Sequence, residues 1–394
     1  MKILFLTYYF EPDLCAGSFR NTSLFKELLN QLTDNDFIHV ITTQPHRYKS
    51  FQAEGKEIET GTNFRIDRIK IPLHKSGFSE QIKSFYVFYR KTLELVKKQD
   101  YDLVYASSSR LFTAFLGRRI AAHKSLPLYL DIRDIFVDTM KDLFKNKKYF
   151  QYPFEVFFKR IEHYTFSKAK HINLVSEGFR NYFEKYRFPS YSYYTNGIDD
   201  LFLNRSWEGK INENRERKVV LYAGNIGQGQ GLEKIIPQAA QLLADTFVFK
   251  IVGDGGTKAL LKSELQEFGV TNVELCDPVS RDRLMEYYQE ADYLFLHLND
   301  YDAFKKVLPS KIFEYAVFNK PIIAGVSGYA QQFIRENVED CILFHPTDVR
   351  AMVEQLKVYK QHDIDRSDFI QKFSRRNIMR KMAEDIIQIG KNNG

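Results

Sequence analysis

The stretch Val307-Leu308-Pro309-Ser310-Lys311-Ile312-Phe313-Glu314-Tyr315 follows an apolar run that ends near His297. A lysine, a serine and the unbonded N–H groups of a helix start together suit an anion. Pro309 fits a first helical turn, and either Pro309 or the Ser310 hydroxyl is expected to start the helix. Ser310 and Glu314 are four residues apart and share a face, while Ile312, Phe313, Ala316 and Val317 form the buried one. Glu314 is then placed to accept bonds from ligand hydroxyls, as acidic groups do for ribose in other α/β nucleotide sites. The plain alternative is a capped surface helix with a Lys-Glu pair.

Three further loops carry glycine at the end of an apolar run. Leu221-Tyr222-Ala223-Gly224-Asn225-Ile226-Gly227-Gln228-Gly229-Gln230-Gly231 contains G-x-G-x-G. It matches neither the dinucleotide fingerprint G-x-G-x-x-G nor the phosphate loop G-x-x-x-x-G-K-[ST]. What remains is a flexible loop suited to backbone contact with a diphosphate. Val252-Gly253-Asp254-Gly255-Gly256 repeats the design, and two such loops in successive βα units favour a nucleotide pocket over two turns. Near the start of the chain, Gly17-Ser18 would place free N–H groups at a helix N-terminus, where they can bind an anion; taken alone it reads rather as an ordinary glycine turn capped by Ser18. Asp131-Ile132-Arg133-Asp134 crowds three charges at a strand end, either for ligand contact or as a salt-bridge knot, with Asp131 able to orient Arg133.

The elements that must position these residues alternate. Apolar runs of strand length near Ile3–Thr7, Phe37–Thr42, Phe64–Ile71, Leu103–Ala106, Leu128–Asp131 and Ile172–Val175 are separated by segments of helical periodicity. The alternation resumes at Val219–Tyr222, Phe247–Val252, Val273–Leu275, Tyr293–Leu298, Pro321–Ala324 and Ile342–Phe344. Repeated βα order predicts an α/β fold with parallel sheets, and ligands at the carboxyl ends of the strands. Turn chemistry over Asn196–Lys218 marks a boundary, giving domains at 1–196 and 197–374. A last helix at 375–394, rich in arginine, is free to pack back onto the first domain.

A length of 394 residues suits two domains, and 44% apolar with 27% charged residues excludes disordered, collagenous and coiled-coil chains. No apolar run reaches spanning length, and Met1–Phe10 lacks the features of a signal peptide, so a cytosolic protein is expected. Cys15, Cys276 and Cys341 form no disulfide framework or metal motif and are expected as small core residues. Residues 1–200 hold 31 Lys and Arg against 23 Asp and Glu, whereas residues 201–394 hold 26 against 27. The basic half suggests an anionic partner or surface. Within it, residues 140–188 interleave cations with many Phe and Tyr, a mixture suited to an anionic bilayer. Nucleic acid would account for the charge but not for the paired glycine loops.

With these residues in hand, the chain resembles the retaining glycosyltransferases of family 4, which have the GT-B architecture. The likeness is carried by Leu221 to Gly227, Val252 to Gly255, Leu308 to Tyr315 and Asn196-Gly197-Ile198-Asp199. The Gly-Asn-Ile-Gly, Asp-Ile-Arg-Asp and Pro-Ser-Lys-x-Phe-Glu-Tyr pieces look most like the subgroup of WbuB-type L-fucosamine transferases. The resemblance implies two doubly wound, Rossmann-like domains facing a central cleft, with the acceptor mostly on the first and the nucleotide sugar on the second. It implies that Glu314 holds the nucleotide ribose, and that Gly17-Ser18 and Gly224 to Gly227 approach the diphosphate. The base would lie near Asp277 to Arg281, a stretch that includes Val279. Lys311 would neutralise the leaving diphosphate, with no metal or other cofactor.

Two departures stand out. The first glutamate of the family's E-x7-E pair is replaced by Lys306, and a first-domain histidine by Arg133. Arg133 and Asp134 become candidates for sugar or acceptor contact. The expected protein is a cytoplasmic transferase, peripheral on the inner face of the membrane. It would move a sugar from a UDP-linked donor to a polyprenyl-diphosphate-linked saccharide for bacterial surface polysaccharide, with no nucleic-acid partner. A UDP-sugar epimerase of the same fold and a non-catalytic sugar-nucleotide-binding subunit are the alternatives.

Overall fold

A computed structural model describes residues 1–45, 55–72, 78–108, 111–138, 148–203, 215–360 and 362–392. Part of the expected boundary (204–214) and of the basic aromatic stretch (140–147) lies outside these. The chain divides into two compact units, Met1–Gly197 with Arg375–Gly394, and Ile198–Ser374.

The first unit is built on β1 (Lys2–Leu6), β2 (Phe37–Thr43), β3 (Ile58–Thr60), β4 (Phe64–Ile69), β5 (Leu103–Ser108), β6 (Leu128–Ile132), β7 (His171–Leu174) and β8 (Ser190–Ser192). They lie in the order β3-β4-β2-β1-β5-β6-β7-β8. All neighbours are parallel except β3, which adds to β4 antiparallel. The parallel sheet expected from the βα alternation is present with β3 as an added antiparallel edge; β3 and β8 hold three residues each, too few for a pattern to show. Strand β4 stops at Ile69 rather than Ile71, short of Pro72, which has no N–H for a ladder. Central strands such as β5 and β6 are buried along their whole length, the mark of a sheet covered on both faces.

The second unit holds β9 (Lys218–Asn225), β10 (Phe247–Asp254), β11 (Val273–Cys276), β12 (Tyr293–His297), β13 (Ile322–Gly325) and β14 (Cys341–Phe344). The order β11-β10-β9-β12-β13-β14 is wholly parallel. The progression of strands reverses between β9 and β12, and in the first unit between β1 and β5. Those switch points are where doubly wound sheets leave crevices for ligands.

The helix Arg375–Lys391 belongs to the first unit. Its Met379, Met382, Ala383 and Ile386 join Leu24 and Leu28 of the helix Ala16–Gln31 and Ile3 and Phe5 of β1 in one core. Burying four such side chains removes enough apolar surface to stabilise the helix by several kcal/mol, at about 1.5–3 kcal/mol for each large one. Arg375 donates from Nε to the Asn196 carbonyl at 2.9 Å and from Nη2 to that of Gly197 at 3.1 Å, closing the helix start onto the end of the first unit's main segment. The three cysteines are half-buried rather than core residues.

Candidate nucleotide site

In the second unit, β9 ends in Gly224 and Asn225, and the short helix Lys311–Tyr315 follows the segment after β12. The switch point thus brings together two motifs that are far apart in sequence. A Cβ on Gly224 would stand 3.6 Å from Lys311 Cε and 3.2 Å from the Tyr222 hydroxyl, so glycine keeps the strand end bare beside the lysine. The helix is one turn long, and its N-cap Ser310 makes no side-chain cap bond, so of the two expected starts the one through the Ser310 hydroxyl is not formed. Pro309 and Ser310 are half-buried ahead of it. Ile312, Phe313 and Tyr315 are buried and set its orientation, and the Ala223 N–H donates to the Tyr315 hydroxyl at 3.2 Å.

Lys311 Nζ donates to Glu314 Oε2 at 2.7 Å, so the Lys-Glu pair given as the plain alternative is present. A third member was not read from the sequence. The Tyr288 hydroxyl, on the helix Arg281–Glu290, donates to Glu314 Oε2 at 3.0 Å and accepts from Lys311 Nζ at 3.1 Å. Tyr288 is fully buried, and burial, with the Glu314 carboxylate adding to it, pushes its phenol pKa well above the ordinary value. It stays a neutral donor. No spacing rule connects residue 288 to 311; the only signal was its place on the buried face with Met285.

The two glycine loops are neighbours. Gly253 pairs with Gly224 and Asp254 with Asn225 across the β9–β10 ladder. A Cβ at Gly253 would meet the Gly224 carbonyl oxygen at 1.9 Å, and one at Gly255 the Ile226 oxygen at 2.3 Å. Both glycines are therefore needed by the packing of the chain on itself. Asn225 Nδ2 donates to Gln230 Oε1 at 2.8 Å, and a Cβ on Gly227 would come within 2.4 Å of that amide. Asn299, just after β12, fastens the loop by donating to the Gln228 carbonyl at 2.8 Å from its side chain and to that of Gly229 at 2.8 Å from its backbone. His297 donates from Nδ1 to the Gln230 carbonyl at 2.5 Å and accepts the Thr347 N–H at Nε2. Burial lowers its pKa to about 4, which keeps the ring neutral for both bonds. Lys258 Nζ joins the Gly253 carbonyl to Asp277 Oδ1 at 2.9 and 2.7 Å. Val279, half-buried, lies between Asp277 and the helix that Ser280 caps. Lys306 ends the single turn Asp302–Lys306, also half-buried.

In the first unit, Gly17 lies in the first turn of the helix Ala16–Gln31, whose N-cap is Cys15, so Ser18 does not cap it. The Ser18 hydroxyl is buried with no hydrogen-bond partner. A Cβ on Gly17 would meet Arg133 Nη1 at 2.1 Å: the guanidinium covers the glycine. Arg133 and Asp134 follow β6 and are half-buried. The expectation that Asp131 orients Arg133 is corrected. The Asp131 carboxylate takes a bidentate pair from Arg20 at 2.8 and 2.9 Å and a bond from Asn173 at 2.7 Å. Arg20 also binds the Tyr194 and Thr195 carbonyls, so this buried knot is structural. Burial pulls the Arg133 pKa below its ordinary value, opposed by the Asp131 charge and assisted by that of Arg20. Among the described residues no group of His, Cys, Asp and Glu has the arrangement of a metal site.

The architecture is two α/β domains with parallel sheets, the GT-B class of fold. Residues 204–376 match the family model for glycosyl transferases group 1. Over 176 residues the chain is 28% identical to "Putative colanic acid biosynthesis glycosyl transferase WcaI" of Escherichia coli strain K12, an alignment that spans 43% of this chain and 43% of that protein. The fold is shared with Anabaena Alr3699/HepE, crystallised with UDP-glucose, at a TM-score of 0.63 and 14% identity, covering 100% of this chain and 98% of that one. It is also shared with WaaG, a glycosyltransferase of lipopolysaccharide biosynthesis, at 0.62 and 15%, covering 99% and 98%.

Proposed function

We propose that the protein is a retaining glycosyltransferase that moves a sugar from a UDP-linked donor to a polyprenyl-diphosphate-linked saccharide in bacterial surface-polysaccharide synthesis. The observation that carries the reading is the meeting of Gly224, Lys311 and Glu314 at the β9/β12 switch point. A bare strand end for phosphate, a cation and a carboxylate stand where such sheets take nucleotides. The group 1 match over this unit and the UDP-glucose bound by HepE support it. The likeness to L-fucosamine transferases suggests an aminosugar donor.

In this reading the donor exchanges the internal pair for its own groups. Glu314 turns to the ribose hydroxyls and Lys311 to the diphosphate. Negative charge grows on the diphosphate as the glycosidic bond breaks, and a fixed ammonium stabilises that change more than the ground state. The donor phosphate oxygen takes the acceptor proton, and Arg133 and Asp134 contact sugar or acceptor. No metal is required, and chelator should leave turnover unchanged.

Thermal unfolding with UDP, GDP, ADP, CMP, NAD and single-stranded RNA, each without metal, tests the donor. A ligand at one hundred times its dissociation constant adds about 2.7 kcal/mol. UDP is expected to shift the transition; a response to NAD or RNA alone would end the reading. UDP-sugars are then offered with the lipid-linked acceptor. Free UDP with an altered sugar and no acceptor would identify an epimerase, and a UDP shift without turnover a binding subunit.

A further inference from the structure

Lys320 lies between the helix Lys311–Tyr315 and β13 and is only 1% exposed. A buried ammonium needs an acceptor for each of its N–H groups, and this one has three. Its Nζ donates to the Tyr288 carbonyl at 2.9 Å and to the carbonyls of Gln289 and Ala291. These belong to the last turn and the C-cap of the helix Arg281–Glu290, where carbonyls lack partners within the helix and the dipole favours a cation.

The Lys320 carbonyl in turn accepts from Arg366 Nη1 at 3.0 Å, and the same nitrogen donates to the Phe318 carbonyl at 2.8 Å. Two buried cations thus fix the segment that leaves the helix Lys311–Tyr315 against the end of the helix Arg281–Glu290. Phe318 closes the contact, its ring 4.9 Å from that of Tyr288. Tyr288 is therefore held at both ends. Its carbonyl rests on Lys320, and its hydroxyl lies between Glu314 and Lys311.

We infer that Lys320 is a positioning residue for the donor site, setting through Tyr288 the places of the Glu314 carboxylate and the Lys311 ammonium. The inference rests on the proposed donor reading. Among the described residues the Lys320 side chain bonds only to backbone, so its effect on a ligand passes through what it holds.

An ammonium has one N–H for each of the three carbonyls, whereas the neutral amine has one too few and turns a lone pair on a carbonyl. Burial lowers the Lys320 pKa to about 8, opposed by Asp292 and Glu290 and assisted by Arg215, which pairs with Asp292 at 3.3 Å. Arg366 is the other charge packed on it. Above that pH the folded chain gives up a proton that the unfolded chain keeps up to 10.5, so this group's contribution to stability rises over the interval. The hold on Tyr288 weakens over the same interval. Fold and site therefore respond to pH in opposite directions.

Calorimetric titration with UDP of the unaltered protein, Lys320→Met, Tyr288→Phe and the double variant tests the inference, with denaturant unfolding of each. Lys320→Met keeps the length of the side chain and removes its donors, and should weaken UDP binding about fivefold, as Tyr288→Phe should. The double variant should lie within about twofold of Tyr288→Phe, because the lysine acts through that hydroxyl. A lysine that only stabilised the fold would lower the unfolding free energy and leave the UDP affinity of the folded protein unchanged. That result, or losses that multiply in the double variant, would overturn the inference. If Lys320→Met does not fold, the unaltered protein decides. The ratio of its UDP affinity to that of Tyr288→Phe should fall from about five toward about one as pH rises through about 8, the ionisation of UDP cancelling in the ratio. A constant ratio would equally overturn the inference. No UDP binding by the unaltered protein would remove the donor reading and this inference together, whereas UDP binding indifferent to Lys320 removes this inference alone.

Discussion

Lys311 Nζ lies 2.7 Å from the Glu314 carboxylate, three residues further along one helical turn. The cation and the acid proposed to meet the diphosphate and the ribose are therefore partners of each other in this structure. Their side chains are 25% and 13% exposed, so the pair is neither fully screened nor sealed from a ligand.

Glu314→Ala should weaken UDP binding by about 1–3 kcal/mol through lost hydrogen bonds, read by calorimetric titration. Lys311→Ala should mainly lower kcat, by roughly 10²-fold if it stabilises the leaving group. A loss confined to KM would assign Lys311 to ground-state binding instead.

Tyr288→Phe removes the hydroxyl that touches both members of the pair while keeping the buried ring. Donor affinity should fall by about 1 kcal/mol, as for one hydrogen bond, with unfolding changed by a similar amount at most. Unaltered UDP affinity and kcat would show that Tyr288 only fills space.

Gly253→Ala should destabilise the second unit by about 2 kcal/mol or more. The added methyl meets the Gly224 carbonyl at 1.9 Å with φ at 154°, and backbone must move. Gly256→Ala, with nothing within 4 Å of the new atom, should stay near neutral. Denaturant unfolding of both variants makes the comparison.

Burial pushes the Glu162 carboxyl up to about 7, against the opposing pull of the Tyr182 hydrogen bond and Lys185. The folded chain then keeps a proton that the unfolded chain has lost, so this group's contribution to stability declines as pH rises from about 4.5 to 7 and is level above. Glu162→Gln should remove that slope and raise stability at pH 8 by about 1–3 kcal/mol, measured as unfolding free energy against pH. An unchanged slope would show that Glu162 does not titrate in this window.

Much of this was legible in the sequence because it depends on neighbours along the chain. Runs such as Phe247–Val252, interrupted by Lys250, and Leu128–Asp131, apolar up to its last residue, are rich in apolar side chains because a parallel strand is largely covered on both faces, and β10 and β6 occupy them. The glycines and the Pro-Ser-Lys motif stood out because strand ends and helix starts need special residues. The three-residue β3 and β8 were not legible; their pairing depends on an adjacent strand, not on their own pattern.

Tertiary structure decided what depends on partners distant in the chain. Asp131 could as well have served Arg133, until the fold brought Arg20 against it from 111 residues away. Tyr288 acquired its place beside Lys311 and Glu314 only when two helices met, and helix Arg375–Lys391 joined the first unit because Met379, Met382 and Ile386 found an apolar face there. Local propensity and periodicity are properties of a segment, and a sequence displays them directly. Charge pairing and core packing are properties of surfaces that meet, and the chain must fold before those surfaces exist.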